Sequence, residues 1–207
     1  DCAQTLGATE QGRAVGSVGL LTVCPFYATK LLCTGEGGMV LSNDEALLER
    51  VRALREYDQA PSLNAAAFNC KMTDLQAAIG VTQLNQLGEF LEKRAVLAAV
   101  YRDSLPAELF TPPSVPAGRT HVYYRFVVRV QKGLQSSDEF TAYLSRMAHR
   151  GLQCRKPVFR PLHRYLELAD FPASDEADDV AISLPIYPSL SDDDVKLASQ
   201  ILQEELR

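Results

Sequence analysis

The stretch from Asp74 to about Ser104 constrains the fold most, because its apolar residues recur with the period of an α-helix. We predict two helices there that meet near residues 86–88. Thr73 and Gln76 have the spacing of a capping box at the start of the first helix. Gly80 inside it costs about 1 kcal/mol relative to alanine, which indicates a close approach by another backbone or by a ligand.

Segments of mixed β and α character precede this helical stretch. Apolar, β-rich sequence predicts strands at 20–26 and 37–41. Ser42 and Glu45 have capping-box spacing at an amphipathic helix predicted for 44–56, and residues 60–67 are loop-like. Residues 1–85 are therefore predicted to form an α/β part.

A smaller α+β part is predicted for residues 86–207. After a proline-rich connector, strict alternation in HVYYRFVVRV predicts a half-buried strand at 121–130. A helix at 137–150 closed by Gly151, a strand at 152–158 and a last helix capped by Ser191 are predicted to follow.

Composition and charge exclude several classes of protein. Of the 207 residues, 46% are hydrophobic and 23% are charged, which is typical of globular proteins. Apolar runs are too short to span a membrane, and a net charge of −5 with scattered Lys and Arg argues against nucleic acid as a partner. The five cysteines form no CxxC pair, which predicts reduced thiols in a cytoplasmic protein. The three histidines are widely separated in sequence, so no metal site is predicted.

One lysine stands where an amine can take part in chemistry. In FYATKLLCTGEGGMVLSND (26–44), Lys30 follows an apolar strand and precedes several glycines. A lysine in a pocket of low polarity loses its proton more easily, and a neutral amine attacks carbonyls to form Schiff bases. Nearby glycines let a planar ligand approach the backbone. The alternative is a solvated lysine before a turn.

Five other polar residues are weaker candidates when each is taken alone. Asp1 and Gln4 also fit a solvated loop. Asn69 precedes a capped helix, where it can contact an anion or serve as a turn residue. His163 in RPLH and Tyr187 in SLPIYPSL can each line a pocket or be a packed side chain with a satisfied polar atom.

Together, the order and spacing of these segments resemble the DegT/DnrJ/StrS family over essentially the whole chain. The matching motifs are DCAQTLGA, FYATKLLCTGEGGMVLSND, FNCKMTDLQAAIGVTQL, HVYYRFVVRV, RPLH and SLPIYPSLSDDDV. Family members are aminotransferases that depend on pyridoxal 5′-phosphate (PLP), and most act on nucleotide-linked keto-sugars. The resemblance implies the α/β aspartate aminotransferase-like fold (fold type I), with part of the large PLP-binding domain at 1–85 and a small C-terminal α+β domain at 86–207.

The resemblance also implies roles for individual residues. Lys30 falls on the catalytic lysine that forms a Schiff base with PLP, and Asp1 on the carboxylate that pairs with the pyridinium nitrogen. Gln4 falls beside the cofactor ring, and Asn69 on an asparagine that reaches the phosphate in the neighbouring subunit's site. The implied unit is therefore a homodimer with shared active sites. Substrate-binding positions fall on Lys71, His163 and Tyr187.

The implied reaction makes an amino-sugar, of the kind found in lipopolysaccharides and antibiotics, in the cytoplasm. L-Glutamate is the implied amino donor, and a nucleotide-linked keto-sugar is the acceptor. Three departures from the family pattern affect this expectation. Pro25 replaces a serine that contacts phosphate, Val158 and Phe159 replace His-Tyr, and Lys71 replaces an arginine.

Family members are about twice as long, so we expect this chain to be the C-terminal part of such a protein. Two alternatives stay open. A PLP-dependent dehydratase is disfavoured because such relatives carry histidine where this chain has Lys30. A non-catalytic family member that dimerises or binds a sugar nucleotide is favoured by Pro25 and disfavoured by the joint presence of Asp1, Gln4, Lys30 and Asn69.

Overall fold

The computed structural model describes residues 1–56, 66–131, 134 and 137–206. The chain forms two compact units. The first unit is Asp1–Leu91 with Val115–Tyr124, and the second unit is Glu92–Ser114 with Arg125–Arg207. The assignment of 1–85 to a large PLP-binding domain and of 86–207 to a small domain stays a prediction.

Two short antiparallel strand pairs lie in the first unit. They are β1 (Thr9–Glu10) with β2 (Arg13–Ala14), and β3 (Thr22–Pro25) with β4 (Gly38–Leu41). The strands predicted at 20–26 and 37–41 are confirmed as β3 and β4, with shorter bounds. In β3 the buried Thr22 and Cys24 alternate with the exposed Val23, so one face of the strand packs inward.

The first helix, α1 (Glu45–Arg55), confirms the helix predicted at 44–56, but its cap differs. The N-cap is Asp44, whose carboxylate accepts a hydrogen bond from the Leu47 N–H at 3.1 Å. Ser42 Oγ accepts from the Asp44 N–H at 3.0 Å, so the capping box predicted for Ser42 and Glu45 is wrong. The loop predicted at 60–67 lies mostly outside the described residues.

The central helix, α2 (Asp74–Ser104), runs without a break, so the prediction of two helices is wrong. Its sequence contains no proline, and glycine within a helix costs only about 1 kcal/mol, which does not by itself end a helix. The predicted capping box is confirmed. Gln76 Oε1 accepts from the Thr73 N–H at 3.0 Å, and Thr73 Oγ1 accepts from the Gln76 N–H at 3.3 Å.

A three-stranded antiparallel sheet lies in the second unit. Its order is β5 (Phe110–Thr111), β6 (Phe126–Val130) and β7 (Ala181–Leu184). The strand predicted at 121–130 is confirmed only from Phe126, because Tyr123 has a left-handed backbone conformation, with φ +48°. The strand predicted at 152–158 is wrong, since Arg155 makes an isolated bridge with Ser183.

Four further helices lie among the described residues of the second unit. They are α3 (Ser137–His149), α4 (Leu162–Tyr165), α5 (Pro172–Val180) and α6 (Asp192–Glu204). Gly151, with φ +83°, follows α3 as predicted, and Ser191 caps α6 in a capping box with Asp194. Within the described residues, every helix is too short or too polar to cross a membrane.

Candidate active site

A loop between β3 and β4 carries Lys30, and we call its residues 26–37 the lysine loop. Backbone hydrogen bonds join its two arms: Phe26 N to Gly37 O at 2.9 Å, Ala28 N to Gly35 O at 2.9 Å, and Thr34 N to Phe26 O at 2.8 Å. Gly35 (φ +82°) and Gly37 (φ +139°) have backbone conformations that other residues rarely adopt. The loop is therefore closed by its own backbone around Lys30.

Two buried leucines directly after Lys30 fix the loop to the rest of the first unit. Leu31 and Leu32 point into two different apolar clusters. Leu31 packs with Ala8 and Val122, and Leu32 packs with Cys2, Cys24 and Phe26. Because both leucines are buried, the backbone next to Lys30 is held on two sides.

Tyr124 is a residue near Lys30 that sequence reasoning missed. Lys30 Nζ lies 5.5 Å from the centroid of the Tyr124 ring, within the range of a cation–π contact. The Tyr124 hydroxyl also lies 3.4 Å from Thr29 Oγ1. The sequence placed Tyr124 only on the apolar face of a strand, and no local pattern connects it with Lys30.

The segment that carries Asp1 lies beside β3. The Cys2 N–H donates to Val23 O at 2.8 Å, and Cys2 and Cys24 are both buried. Burial raises the pKa of the Cys24 thiol, and the neighbouring Cys2 adds to this. Asp1 is exposed, and its Oδ1 accepts a hydrogen bond from the Ala3 N–H at 2.8 Å. The anchored Cys2 therefore fixes the backbone next to the Asp1 carboxylate.

Gln4, Asn69 and Lys71 are also exposed and belong to the first unit. Asn69 Oδ1 lies 3.5 Å from the Lys71 N–H, which is a weak hydrogen bond. Lys71 Nζ donates to Glu56 Oε2 at 3.0 Å, and this hydrogen bond lowers the pKa of Glu56. The Lys71 charge is therefore already engaged by a carboxylate.

His163, in the second unit, is a buried side chain rather than an exposed one. Its Nε2 lies 3.0 Å from Asp175 Oδ1, and its ring stacks on Phe171 with centroids 5.1 Å apart. Arg164 also donates to Asp175, and hydrogen bonds from Arg164 and then His163 lower the pKa of that carboxyl group. The ring of His163 is thus held in one orientation by its neighbours.

Tyr187, also in the second unit, is exposed and lines a cavity of about 350 Å³. Leu152, Leu190 and Arg150 line the same cavity. Val158 and Phe159, the departures near the RPLH motif, are exposed, and the Phe159 side chain is 94% accessible to solvent. His163 is thus held by Asp175 and Phe171, and Tyr187 lines a cavity. Their role in substrate binding stays a prediction.

The donor groups of the first unit fit PLP in part. Lys30 offers an amine for the aldehyde, and Asp1 offers a carboxylate for the ring nitrogen, on segments that both contact β3. Pro25 of β3 pairs with Gly38 of β4. Proline has neither a hydroxyl nor an N–H that could bind a phosphate. Among the described residues, we find no group of three or more His, Cys, Asp or Glu that could hold a metal ion.

Comparison with known proteins agrees with this chemistry. The chain is 31% identical to GDP-perosamine synthase of Caulobacter vibrioides, over 100% of this chain and 58% of that protein. It is 31% identical to dTDP-3-amino-3,6-dideoxy-alpha-D-galactopyranose transaminase of Aneurinibacillus thermoaerophilus, over 95% of this chain and 54% of that protein. The chain thus spans little more than half the length of these relatives.

The fold is shared with a solved structure, the PLP form of Spr1654 from Streptococcus pneumoniae. The TM-score is 0.87 at 21% identity, and the match covers 100% of this chain and 58% of that one. The fold is therefore a partial fold type I domain. The model of the DegT/DnrJ/EryC1/StrS aminotransferase family matches residues 1–203. This chain belongs to the DegT/DnrJ/EryC1/StrS aminotransferase family.

Proposed function

We propose that this chain carries the catalytic lysine of a PLP-dependent aminotransferase that converts a nucleotide-linked keto-sugar into an amino-sugar. The observation that carries the proposal is Lys30, an amine on a closed and anchored loop, in a member of an aminotransferase family. The names of two relatives contain a GDP-sugar and a dTDP-sugar, which supports the nucleotide-sugar class.

In this proposal Lys30 Nζ both attaches the cofactor and moves the reacting proton. It removes the proton from Cα of the donor, L-glutamate, in the first half of the reaction. In the second half it delivers a proton to the sugar carbon that receives the amino group. The half-buried position of Lys30 supports this role, because it holds the amine on a fixed backbone while leaving it accessible.

Asp1 is proposed to hold a proton on the ring nitrogen of the cofactor. PLP, when bound, supplies an electron sink for the negative charge that develops at the reacting carbon. A carboxylate beside the ring nitrogen favours its protonated form, which strengthens that sink. The exposed Asp1 carboxylate on an anchored backbone supports this role, and Gln4, on the same segment, is proposed to contact the ring.

The remaining binding roles are also proposals. Asn69 is proposed to contact the cofactor phosphate of a neighbouring subunit, which requires a homodimer with shared sites. Lys71, His163 and Tyr187 are proposed to bind substrate. The free thiols of all five cysteines support a reducing compartment, and we propose the cytoplasm.

A direct test measures amino transfer by the full-length enzyme with PLP. L-Glutamate is supplied together with GDP-linked and dTDP-linked 4-keto and 3-keto sugars, and 2-oxoglutarate and the amino-sugar are quantified. We expect both products to form in equal amounts with at least one acceptor. A protein that binds PLP yet forms no 2-oxoglutarate with any acceptor would contradict the proposed activity.

A non-catalytic family member that dimerises or binds a sugar nucleotide is the second candidate, and Pro25 favours it. A proline at this position removes a hydroxyl and an N–H that a phosphate could use. The two candidates differ in the visible spectrum. Addition of L-glutamate to the PLP-loaded protein bleaches the cofactor absorbance if transamination begins, and leaves it unchanged if the protein only binds.

A further inference from the structure

The side chain of Gln83, on α2, makes two hydrogen bonds to the backbone of the lysine loop. Its Oε1 accepts from the Cys33 N–H at 3.0 Å, and its Nε2 donates to Cys33 O at 2.8 Å. Both partners belong to the same residue, 50 positions earlier in the chain. A primary amide is suited to this task, because it offers a donor and an acceptor side by side without a charge.

The contact with α2 continues at the next residue of the loop. Gly80 lies one turn before Gln83, so the two residues share a face of the helix. A Cβ atom built on Gly80 would lie 3.2 Å from Thr34 Cγ2. Among the protein atoms, the close approach at Gly80 is therefore made by the Thr34 side chain and not by another backbone.

Thr34 in turn fixes the turn of the lysine loop. Its N–H donates to Phe26 O at 2.8 Å, and its Oγ1 donates to Glu36 O at 2.6 Å. Cys33 and Thr34 thus connect α2 on one side with the loop arms on the other. Only Leu31 and Leu32 separate Cys33 from Lys30, and both are buried.

We propose that Gln83 is a positioning residue for Lys30, acting through the Cys33 peptide. The two hydrogen bonds fix the distance between the lysine loop and α2. The buried Leu31 and Leu32 connect Cys33 to Lys30, so the backbone position of Cys33 determines that of Lys30. This inference rests on the proposed role of Lys30 in catalysis. It assigns to Gln83 no contact with substrate or cofactor.

Hydrogen exchange tests the positioning step in the cofactor-free chain, independently of any activity. Gln83→Leu keeps a similar size and removes both hydrogen bonds, so the Cys33 amide should lose at least 10-fold of its protection. The matched control is Gln86→Leu, since the Gln86 amide donates only to Thr82 O, in its own helix, at 3.3 Å. Unchanged exchange at Cys33 in Gln83→Leu would overturn the inference, even if Lys30 is catalytic.

Kinetics of the PLP-loaded full-length enzyme test the consequence for Lys30. A misplacement of about 1 Å can cost on the order of 100-fold in rate, so Gln83→Leu should lower kcat by roughly 10- to 100-fold with KM for L-glutamate little changed. Gln86→Leu should leave both constants unchanged. A lowered protection of Cys33 with an unchanged kcat would show that Gln83 is structural only and would overturn its positioning role.

A conservative variant, Gln83→Glu, distinguishes the loss of a specific hydrogen bond from general damage to the fold. In Gln83→Glu, the ionised carboxylate can accept from the Cys33 N–H but cannot donate to Cys33 O, whereas the protonated form can do both. At neutral pH the variant should therefore protect the Cys33 amide from exchange better than Gln83→Leu does, because it keeps the hydrogen bond from the Cys33 N–H. Protection no higher than in Gln83→Leu, in a variant that remains folded, would contradict the hydrogen bond between residue 83 and the Cys33 N–H.

Discussion

The two units of the molecule bury their side chains to different extents. The largest fully buried side chains among the described residues all lie in the second unit, including Tyr101, Phe126, Phe140 and Tyr143. The first unit has two small apolar clusters around Leu31 and Leu32, and it leaves large apolar side chains such as Leu20 and Leu75 more than three-quarters exposed. Among the described residues, the unit that carries Lys30 therefore has smaller apolar clusters than the second unit.

The difference in packing between the two units predicts where substitutions change stability and where they change activity. Changes in the second unit should act mainly on the free energy of unfolding, because its core is closely packed. Changes at the exposed or half-buried residues of the lysine loop, such as Lys30, should act mainly on activity, because these side chains lie outside the apolar clusters.

The largest effect is expected for Lys30→Ala. Loss of the amine should lower amino transfer by at least about 100-fold, because proton transfer by a positioned side chain contributes that much or more. The urea concentration at the midpoint of unfolding should stay unchanged, since the Lys30 side chain is only half-buried. Lys196→Ala serves as the control and should keep amino transfer, because this lysine is exposed on α6 and has no proposed role in binding. A loss of folding in Lys30→Ala would mean that the lysine is structural.

The next largest effect concerns two phenylalanines. Phe126→Ala should lower the free energy of unfolding by about 3–5 kcal/mol, because this fully buried ring stacks on Tyr101 at 4.9 Å between centroids. Phe26→Ala, in a small cluster of the first unit, should cost roughly half as much because the site can partly collapse. Urea unfolding followed by circular dichroism measures both. Equal losses of unfolding free energy in the two variants would contradict the difference in packing between the two units.

A smaller effect is expected at the start of α6. Ser191 Oγ accepts from the Asp194 N–H at 3.1 Å, so Ser191→Ala should cost about 1 kcal/mol of unfolding free energy. Amino transfer should stay unchanged, because the change is confined to the stability of the second unit. A reduced kcat with normal stability would contradict this division of roles.

The smallest effect is a change in pH dependence at Asp194. Hydrogen bonds from the Ser191 hydroxyl and backbone lower the pKa of this carboxyl group in the folded state. Its contribution to stability is therefore present above the ordinary pKa of aspartate and is lost as the pH falls through the lowered value. Asp194→Asn should flatten the acid side of the stability profile. An unchanged slope between pH 5 and pH 2 would argue against the capping box in solution.

Local patterns predicted the elements that depend on local physics. Helices α1, α3 and α6 follow from apolar periodicity and capping residues, and β3 and β4 from short apolar runs. The sequence did not show that Asp44 rather than Ser42 caps α1, because both offer an oxygen at the right distance from the helix. The strand expected from residue 121 failed because Tyr123 takes a left-handed conformation that alternation cannot show.

The candidate site was predicted less completely than the elements. Glycines and an apolar strand beside Lys30 made it a candidate, and the resemblance to the family gave it a predicted role. Tyr124 and Gln83 were missed because the chain brings them to the lysine loop from far along the sequence. Contacts of this kind depend on tertiary packing, and one sequence has no local signal for them.

The most direct test of the account is to trap the cofactor on the protein. PLP is added, the protein is reduced with borohydride, and the position of the pyridoxyl adduct is mapped by peptide mass spectrometry. We expect an adduct on Lys30 and no adduct at this position in Lys30→Ala. An adduct confined to Lys71 or other exposed lysines, or no adduct at all, would contradict the central role of Lys30.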